Sequence, residues 1–183
     1  MRILLINHAF VPESFAGTEI YTYNLAKGLV EIGHEVFVLH RSFDLSYPNY
    51  FLQLRTYNNI PIIKINKNNY YKEPFEKTYN NSSIDNIFKG IVNYINPDLV
   101  HINHIMFLSF NIVNILYEKK IPIVMTLHDY WLVCPQIHCH KNYDLCYSKN
   151  ITDCTVCIAN QGYDYDMQKI VERDLLAFDI LKK

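Results

Sequence analysis

The sequence contains little glycine and little excess charge of either sign. Only 5 glycines occur in 183 residues, and the formal net charge is −1. Binding to nucleic acid needs a clear excess of basic residues to neutralise phosphates, so no nucleic-acid partner is expected. The three-glycine dinucleotide fingerprint and the lysine of a P-loop are also missing, so NAD is not expected as a cofactor.

Long apolar runs are missing as well. No uninterrupted run reaches the length of a transmembrane helix, and the apolar residues 3–6 are too few for the core of a signal peptide. We therefore expect a cytoplasmic protein. The composition, with 50% hydrophobic and 19% charged residues, is ordinary for a globular protein, and the length predicts a single domain over residues 1–183.

Residues 2–40 have the pattern of a strand, a loop, a helix and a second strand. Short apolar runs predict the strands, and apolar residues at three-and-four spacing predict the helix. We expect Thr18 to cap this helix and Gly33 to end it in a left-handed conformation. A right-handed crossover places the loop before the helix at the carboxyl edge of the sheet. Gly17 is then either a simple turn residue or part of an anion site formed by Ala16, Gly17, Thr18 and Glu19.

The rest of the chain predicts an α/β, Rossmann-like fold with a mainly parallel sheet and helices on both faces. Two strand-like runs separated by Asn58 and Asn59 predict an added β-hairpin, because asparagine tolerates the positive φ angles of a tight turn. A helix capped by Ser83 follows the hairpin. The remaining expected elements are a strand over 98–102, a helix over 106–119, a strand over 121–127 and a helix over 167–181.

Polar side chains lie at the ends of two of the predicted strands. His101, Asn103 and His104 end one strand, and His128 and Asp129 end the next. Carboxyl ends of parallel strands meet at one edge of a sheet, so these residues are candidates for a binding site. His101 is either a residue of the cleft or a core imidazole hydrogen-bonded to the backbone. Adjacent residues on a strand point apart, so no direct pair of His128 and Asp129 is predicted.

Residues 134–157 hold all 5 cysteines of the chain, together with His138 and His140. Cys154 and Cys157 have the spacing of a zinc knuckle, although the other spacings are irregular. A set of disulfides is not expected in a reducing cytoplasm. This cysteine-rich insertion therefore has two interpretations, a structural zinc site or a group of free thiols.

Three stretches of the sequence resemble the family 4 retaining glycosyltransferases of GT-B architecture. They are the opening with Pro12, Ala16-Gly17, Glu19 and Gly33-His34, the run PDLVHINH, and the run TLHDYWLVCP. The family usually has Gly-Gly where this chain has Ala16-Gly17. The resemblance implies transfer of a sugar, with retention, from a nucleotide-diphosphate sugar to a glycan, a lipid or another acceptor.

The resemblance also implies roles for particular residues. The histidine of the family's Thr-x-His-Asp segment lies near the donor sugar, so His128 is the first choice for a contact at the reaction centre and Asp129 is the second. Contacts to donor or acceptor are implied for Ala16, Gly17, Thr18, Glu19, His101 and Asn103. A subset of the family carries similar cysteines, which implies zinc ligands at Cys134, Cys146, Cys154 and Cys157.

Most nucleotide contacts in that family come from a second domain with a Lys or Arg clamp and a Glu-x7-Glu motif. Neither feature occurs in this sequence, so the resemblance implies the amino-terminal, acceptor-side half of an enzyme, catalytically incomplete alone. Members with lipid acceptors can rest an apolar helix on a membrane, so residues 106–119 either pack in the core or touch the inner membrane face. The rival hypotheses are a non-catalytic sugar or nucleotide-sugar binding module and another Rossmann-like enzyme, such as an epimerase.

Overall fold

The computed structural model describes residues 1–68, 73–141, 144–146, 151–160 and 166–183. Its strands are β1 (Arg2–Asn7), β2 (Glu35–Ser42), β3 (Leu52–Tyr57), β4 (Ile60–Asn66), β5 (Leu99–Ile102), β6 (Ile123–Met125), β7 (His140–Lys141) and β8 (Asp144–Leu145). Its helices are α1 (Gly17–Glu31), α2 (Ser82–Ile95), α3 (Asn111–Glu118), α4 (Ile151–Asn160) and α5 (Met167–Ile180). None of the helices in these ranges is long and apolar enough to cross a membrane.

Six strands form one sheet in the order β3-β4-β2-β1-β5-β6. All neighbours are parallel except β3 and β4, which form the antiparallel hairpin at one edge. The hairpin turn has positive φ angles at Asn58 and Asn59, as the sequence predicts. β1 lies in the interior of the sheet, with β2 on one side and β5 on the other. The predicted α/β fold with a mainly parallel sheet is confirmed.

The first strand, helix and strand form the predicted parallel unit, but the helix begins differently. The N-cap residue is Ala16, and Thr18 lies inside the first turn, so the prediction that Thr18 caps α1 is wrong. The end of α1 agrees with the sequence. Gly33 has a φ of 90°, and the N–H groups of Gly33 and His34 donate to Val30 and Leu29. This glycine turns the chain directly into β2.

Two later helix boundaries also differ from the sequence predictions. Asn81, and not Ser83, caps α2, because its side chain accepts a hydrogen bond from the N–H of Ile84. The third helix begins at Asn111 and not near residue 106. Phe107 has a φ of 62°, and its N–H donates to the carbonyl of Thr78, so the chain before α3 is held by tertiary hydrogen bonds.

Helices cover both faces of the sheet, as predicted. On one face, Ala26 of α1 packs in a cluster that includes Leu5 of β1 and Val38 of β2. On the other face, Leu4 of β1 packs in a larger cluster that contains the apolar sides of α2, α3 and α5. Alternate residues of β1 therefore serve both cores, which explains why the strand reads as a continuous apolar run. The loops at its carboxyl end remain between the two layers of helices.

Candidate functional site

The amino terminus of α1 is open to solvent at the carboxyl edge of the sheet. Ala16 makes no side-chain hydrogen bond to the first turn. Ala16 and Gly17 are exposed, and Thr18 is half-buried. A Cβ atom built on Gly17 would meet no heavy atom within 4 Å, and its φ does not lie in the left-handed region. The fold itself therefore does not require glycine here, and the first turn offers the backbone N–H groups that suit an anion.

Glu19 lies in the same turn, but its carboxylate faces the interior. The residue is 1% exposed. Its Oε1 accepts a hydrogen bond of 2.9 Å from Ser14 Oγ and lies 3.6 Å from Nε2 of His8. A negative charge in the first turn of a helix is stabilised by the helix dipole. Glu19 thus forms part of the wall behind the exposed helix terminus.

His8 follows β1 directly and reaches the middle of this edge. Its ring centroid lies 4.5 Å from that of His104, and its Nδ1 lies 3.2 Å from Oδ1 of Asn7. The amide of Asn7 donates to Thr22 Oγ1, so Oδ1 of Asn7 is an acceptor and Nδ1 of His8 carries the hydrogen. Burial lowers the pKa of His8 to about 3, so its imidazole is neutral at pH 7.

β6 ends at Met125, earlier than the predicted strand over 121–127, and Asp129 in the segment that follows is held by two hydrogen bonds. Its Oδ2 lies 2.8 Å from Nε2 of His104, and its Oδ1 accepts the N–H of Trp131 at 2.8 Å. Burial alone would raise the pKa of Asp129, but the hydrogen bonds from His104 and from the N–H of Trp131 lower it below its usual value. The carboxylate is therefore ionised at pH 7 and oriented by its neighbours.

His128 lies beside the first turns of α1. Its ring centroid is 4.7 Å from that of Tyr21, and its Nε2 lies 3.4 Å from Oδ1 of Asn103, which is buried. Burial and the nearby His104 lower the pKa of His128, although Asp129 opposes this shift. The imidazole is neutral at pH 7, so it can donate or accept a hydrogen bond to a ligand.

His101 is half-buried and bonded to the neighbouring strand end. Its Nε2 lies 2.8 Å from Oγ1 of Thr126, which differs from the backbone hydrogen bond considered from the sequence. Burial lowers the pKa of His101, and the proximity of His128 lowers it further. His101 thus lies within electrostatic reach of His128, on the strand beside it.

The carboxyl edge therefore brings together residues from three parts of the chain. Tyr21, which contacts His128, lies only one helical turn after Gly17, so the exposed start of α1 and the end of β6 are adjacent. His8, which lies 3.6 Å from Glu19 of α1, also contacts His104, which in turn contacts Asp129. Sequence reasoning did not single out His8 as a site residue. The signal was present, because His8 directly follows β1, as Asn103 directly follows β5.

Arg173 of α5 is a second residue that the sequence did not indicate. It is 0% exposed, and its guanidinium lies 4.4 Å from the ring centroid of Trp131 and 5.7 Å from that of Phe110. It also donates to the carbonyl of Trp131. Nothing in an amphipathic pattern predicts a charged residue on the buried face of a helix. Arg173 joins α5 to the segment that follows Asp129.

The cysteines of residues 134–157 do not form a metal site in the part of the chain that the structure describes. Among those residues, no group of three or more His, Cys, Asp and Glu side chains is arranged to hold a metal ion. Cys154 and Cys157 lie on α4, and Cys134 lies in the turn after Trp131. Residues 142–143 and 147–150 of the insertion lie outside the described ranges. The zinc prediction for Cys134, Cys146, Cys154 and Cys157 is therefore not supported.

The chain resembles known proteins in sequence and in structure. It is 26% identical over 157 residues to an uncharacterized 42.6 kDa protein in the cps region of Klebsiella pneumoniae, a match that covers 78% of this chain and 40% of that protein. Sucrose-phosphate synthase from Thermosynechococcus elongatus superimposes with a TM-score of 0.48 and 17% identity, over 86% of this chain and 39% of the other. The catalytic domain of starch synthase IV from Arabidopsis thaliana, bound to ADP and acarbose, superimposes with a TM-score of 0.48 and 15% identity. The match covers 70% of this chain and 34% of that chain.

These relatives are all longer than the region they share with this chain. The chain spans 40% of the length of the curated relative. TM-scores below 0.5 give the structural likenesses no weight in assigning a function. The family assignment depends on the sequence, because the model of Glycosyltransferase Family 4 matches residues 15–161. That match includes the start of α1, the ends of β5 and β6 and the cysteine-rich insertion, and the chain therefore belongs to Glycosyltransferase Family 4.

Proposed function

We propose that the chain is the acceptor-side half of an enzyme that transfers a sugar, with retention, from a nucleotide-diphosphate sugar. The proposed acceptor is a glycan, a lipid or another molecule. A second domain supplies most contacts to the nucleotide, so the chain alone is catalytically incomplete. Family membership supports sugar transfer in general, and the geometry of the sheet edge supports the roles of individual residues.

One observation carries the proposal: the start of α1 and the end of β6 are in contact. The ring of His128 lies 4.7 Å from that of Tyr21, one turn beyond Gly17. Sugar transfer from a diphosphate requires stabilisation of the departing phosphates and of positive charge on the sugar ring. An exposed helix terminus stabilises phosphate, and a neutral imidazole beside it can hydrogen-bond the sugar. Both groups occur side by side at this edge.

The proposed roles follow from how each side chain is bonded. Gly17, with Ala16 and Thr18, lets the diphosphate approach the backbone N–H groups of α1. His128 contacts the transferred sugar at the reaction centre. Asp129 uses both carboxylate oxygens within the protein, so we assign it to holding the end of β6 rather than to a contact with substrate.

The test is sugar transfer by the natural full-length protein with and without His128→Ala. A panel of nucleotide-diphosphate sugars serves as donors, and release of the nucleoside diphosphate is measured with candidate acceptors. We expect the variant to fold, by circular dichroism, and to lose transfer. His34→Ala is the matched control, because His34 lies just before β2, at the opposite edge of the sheet. Undiminished transfer by His128→Ala would reject the role of His128, and no transfer by the wild type with any donor would favour a binding module.

A further inference from the structure

The segment after β6 is held by hydrogen bonds to Asp129 more than by hydrogen bonds to His128. The only hydrogen bond that the described residues give to the His128 side chain is the 3.4 Å contact with Asn103, which is long for a hydrogen bond. The next residue, Asp129, has two bonds of 2.8 Å. The position of His128 is therefore set mainly through its neighbour.

His104 supplies one of those two bonds, and its tautomer is determined by the structure. Nδ1 of His104 accepts the N–H of Met106 at 3.0 Å, so this nitrogen carries a lone pair. Nε2 must then carry the hydrogen that is donated to Oδ2 of Asp129. His104 is 6% exposed, so water does not compete effectively for either bond. Because both ring nitrogens of His104 are hydrogen-bonded, the orientation of its ring is fixed, and the ring in turn fixes the orientation of the Asp129 carboxylate.

Asp129 passes this constraint on to the backbone. Its Oδ1 accepts the N–H of Trp131, two residues ahead, which is the geometry of an Asx-turn. The carbonyl of Trp131 is in turn bonded by Arg173 of α5. The turn after β6 is thus held from the β5 side by His104 and from α5 by Arg173. His128 lies immediately before this turn and contacts Tyr21 of α1.

We propose that His104 is a positioning residue for sugar transfer, which fixes the orientation of Asp129 and, through it, the place of His128 beside α1. This inference rests on the proposed function of His128, but its geometry can be tested without any activity. A displacement of about 1 Å at a reacting group can cost about 100-fold in rate. Without the hydrogen bond from His104, the carboxylate of Asp129 can rotate, and the turn that it closes loses its definition.

The experiment compares His104→Leu with His104→Gln. Leucine removes both hydrogen bonds, whereas the amide of glutamine can place an N–H where Nε2–H of histidine lies and so donate to Asp129. His34→Gln makes the same chemical change far from the site and is the control. In the isotope-labelled chain, nuclear Overhauser contacts between the rings of Tyr21 and His128 report the position of His128, and nitrogen shifts report the tautomer of His104.

We expect the Tyr21–His128 contacts in the wild type, His34→Gln and His104→Gln, and their loss in His104→Leu. In the natural full-length protein, kcat for sugar transfer should fall about 100-fold in the leucine variant, with a smaller change in KM, and glutamine should restore most of it. If His104→Leu does not fold, Asp129→Asn replaces it, because its amide nitrogen opposes the N–H of His104 and should cause the same loss.

A purely structural role for His104 predicts a different result. His104→Leu would then lower the unfolding midpoint but leave the Tyr21–His128 contacts intact, and this outcome overturns the inference. A wild-type Nδ1–H tautomer of His104 would overturn it as well. If the wild type transfers no sugar at all, the proposed function fails, but the ring contacts still decide whether His104 positions His128.

Discussion

Replacing Gly17 with alanine should separate folding from ligand binding at the start of α1. The residue begins the helix, lies in open space and does not have a positive φ, so a methyl group meets no protein atom. Alanine also restricts the unfolded chain more than glycine does, which stabilises a protein by about 0.4–1 kcal/mol where the native conformation allows it. We therefore expect Gly17→Ala to unfold at the same temperature as the wild type or slightly higher.

Binding should change in the opposite direction. The added methyl group occupies the space through which a phosphate would reach the N–H groups of the first turn. A hydrogen bond to a charged group contributes about 1.5–3 kcal/mol, which corresponds to about 10- to 150-fold in affinity. We expect a loss in this range for inorganic pyrophosphate, measured by amide shifts of the labelled chain, and a matching rise in donor KM for the natural full-length protein.

Gly28→Ala is the matched control for this experiment. Gly28 lies in the interior of the same helix, and a Cβ atom there also meets no heavy atom within 4 Å. It should stabilise the fold by about 1 kcal/mol and leave pyrophosphate binding unchanged. The reasoning would be refuted if Gly17→Ala bound pyrophosphate as well as the control did. It would also be refuted if Gly17→Ala were destabilised, because the glycine would then have a structural purpose.

Two further predictions concern stability. Burial lowers the pKa of His8 to about 3 and that of His40 to about 4, from 6.5, so the unfolded chain binds more protons than the folded chain between these values. Stability should therefore fall as the pH falls from 6.5 toward 4, by up to about 1.4 kcal/mol per pH unit for each group. Urea midpoints measured across this pH range should show the fall, and their slope against pH should be shallower in His40→Gln than in the wild type. Equal slopes in the two proteins would contradict the prediction. Arg173→Ala should destabilise the fold by about 3 kcal/mol, because it leaves the Trp131 carbonyl and a buried space without the guanidinium. Lys169→Ala, which removes a half-exposed ion pair with Glu172, is the control and should change the free energy of unfolding by less than about 0.5 kcal/mol in the same urea titration. An equally small change for Arg173→Ala would show that the guanidinium is dispensable.

The sequence predicted the sheet well because its strands carry strong local signals. The apolar run of β1, the left-handed Gly33 and the pair Asn58-Asn59 each depend on a few neighbouring residues, and all three are confirmed. Helix starts were predicted less well. Asn81 and Ser83 are both acceptable N-cap residues by type. The choice of Asn81 depends on its burial against distant residues such as Ser109.

Contacts between distant segments explain the remaining differences. The N–H groups of Phe107 and Phe110 donate to the carbonyls of Thr78 and Tyr79, so this apolar stretch is loop where its composition predicted helix. The site shows the same division. The sequence indicated that His128 ends a strand, but the bond between His104 and Asp129 joins residues 25 positions apart and has no local signature. Arg173 belongs to the same class, because only the fold places it over Trp131.

The interior position of β1 has a consequence for synthesis on the ribosome. One side of this strand can pair with β2 soon after both emerge, but its other partner, β5, begins only at Leu99. The roughly 60 residues from the end of β2 to the end of β5 take about 3 to 12 seconds to synthesise at roughly 5 to 20 residues per second, and during that time β1 is paired on one side only. During that interval the strand is a natural target for cellular chaperones, and slowing translation through the first half of the message lengthens its exposure.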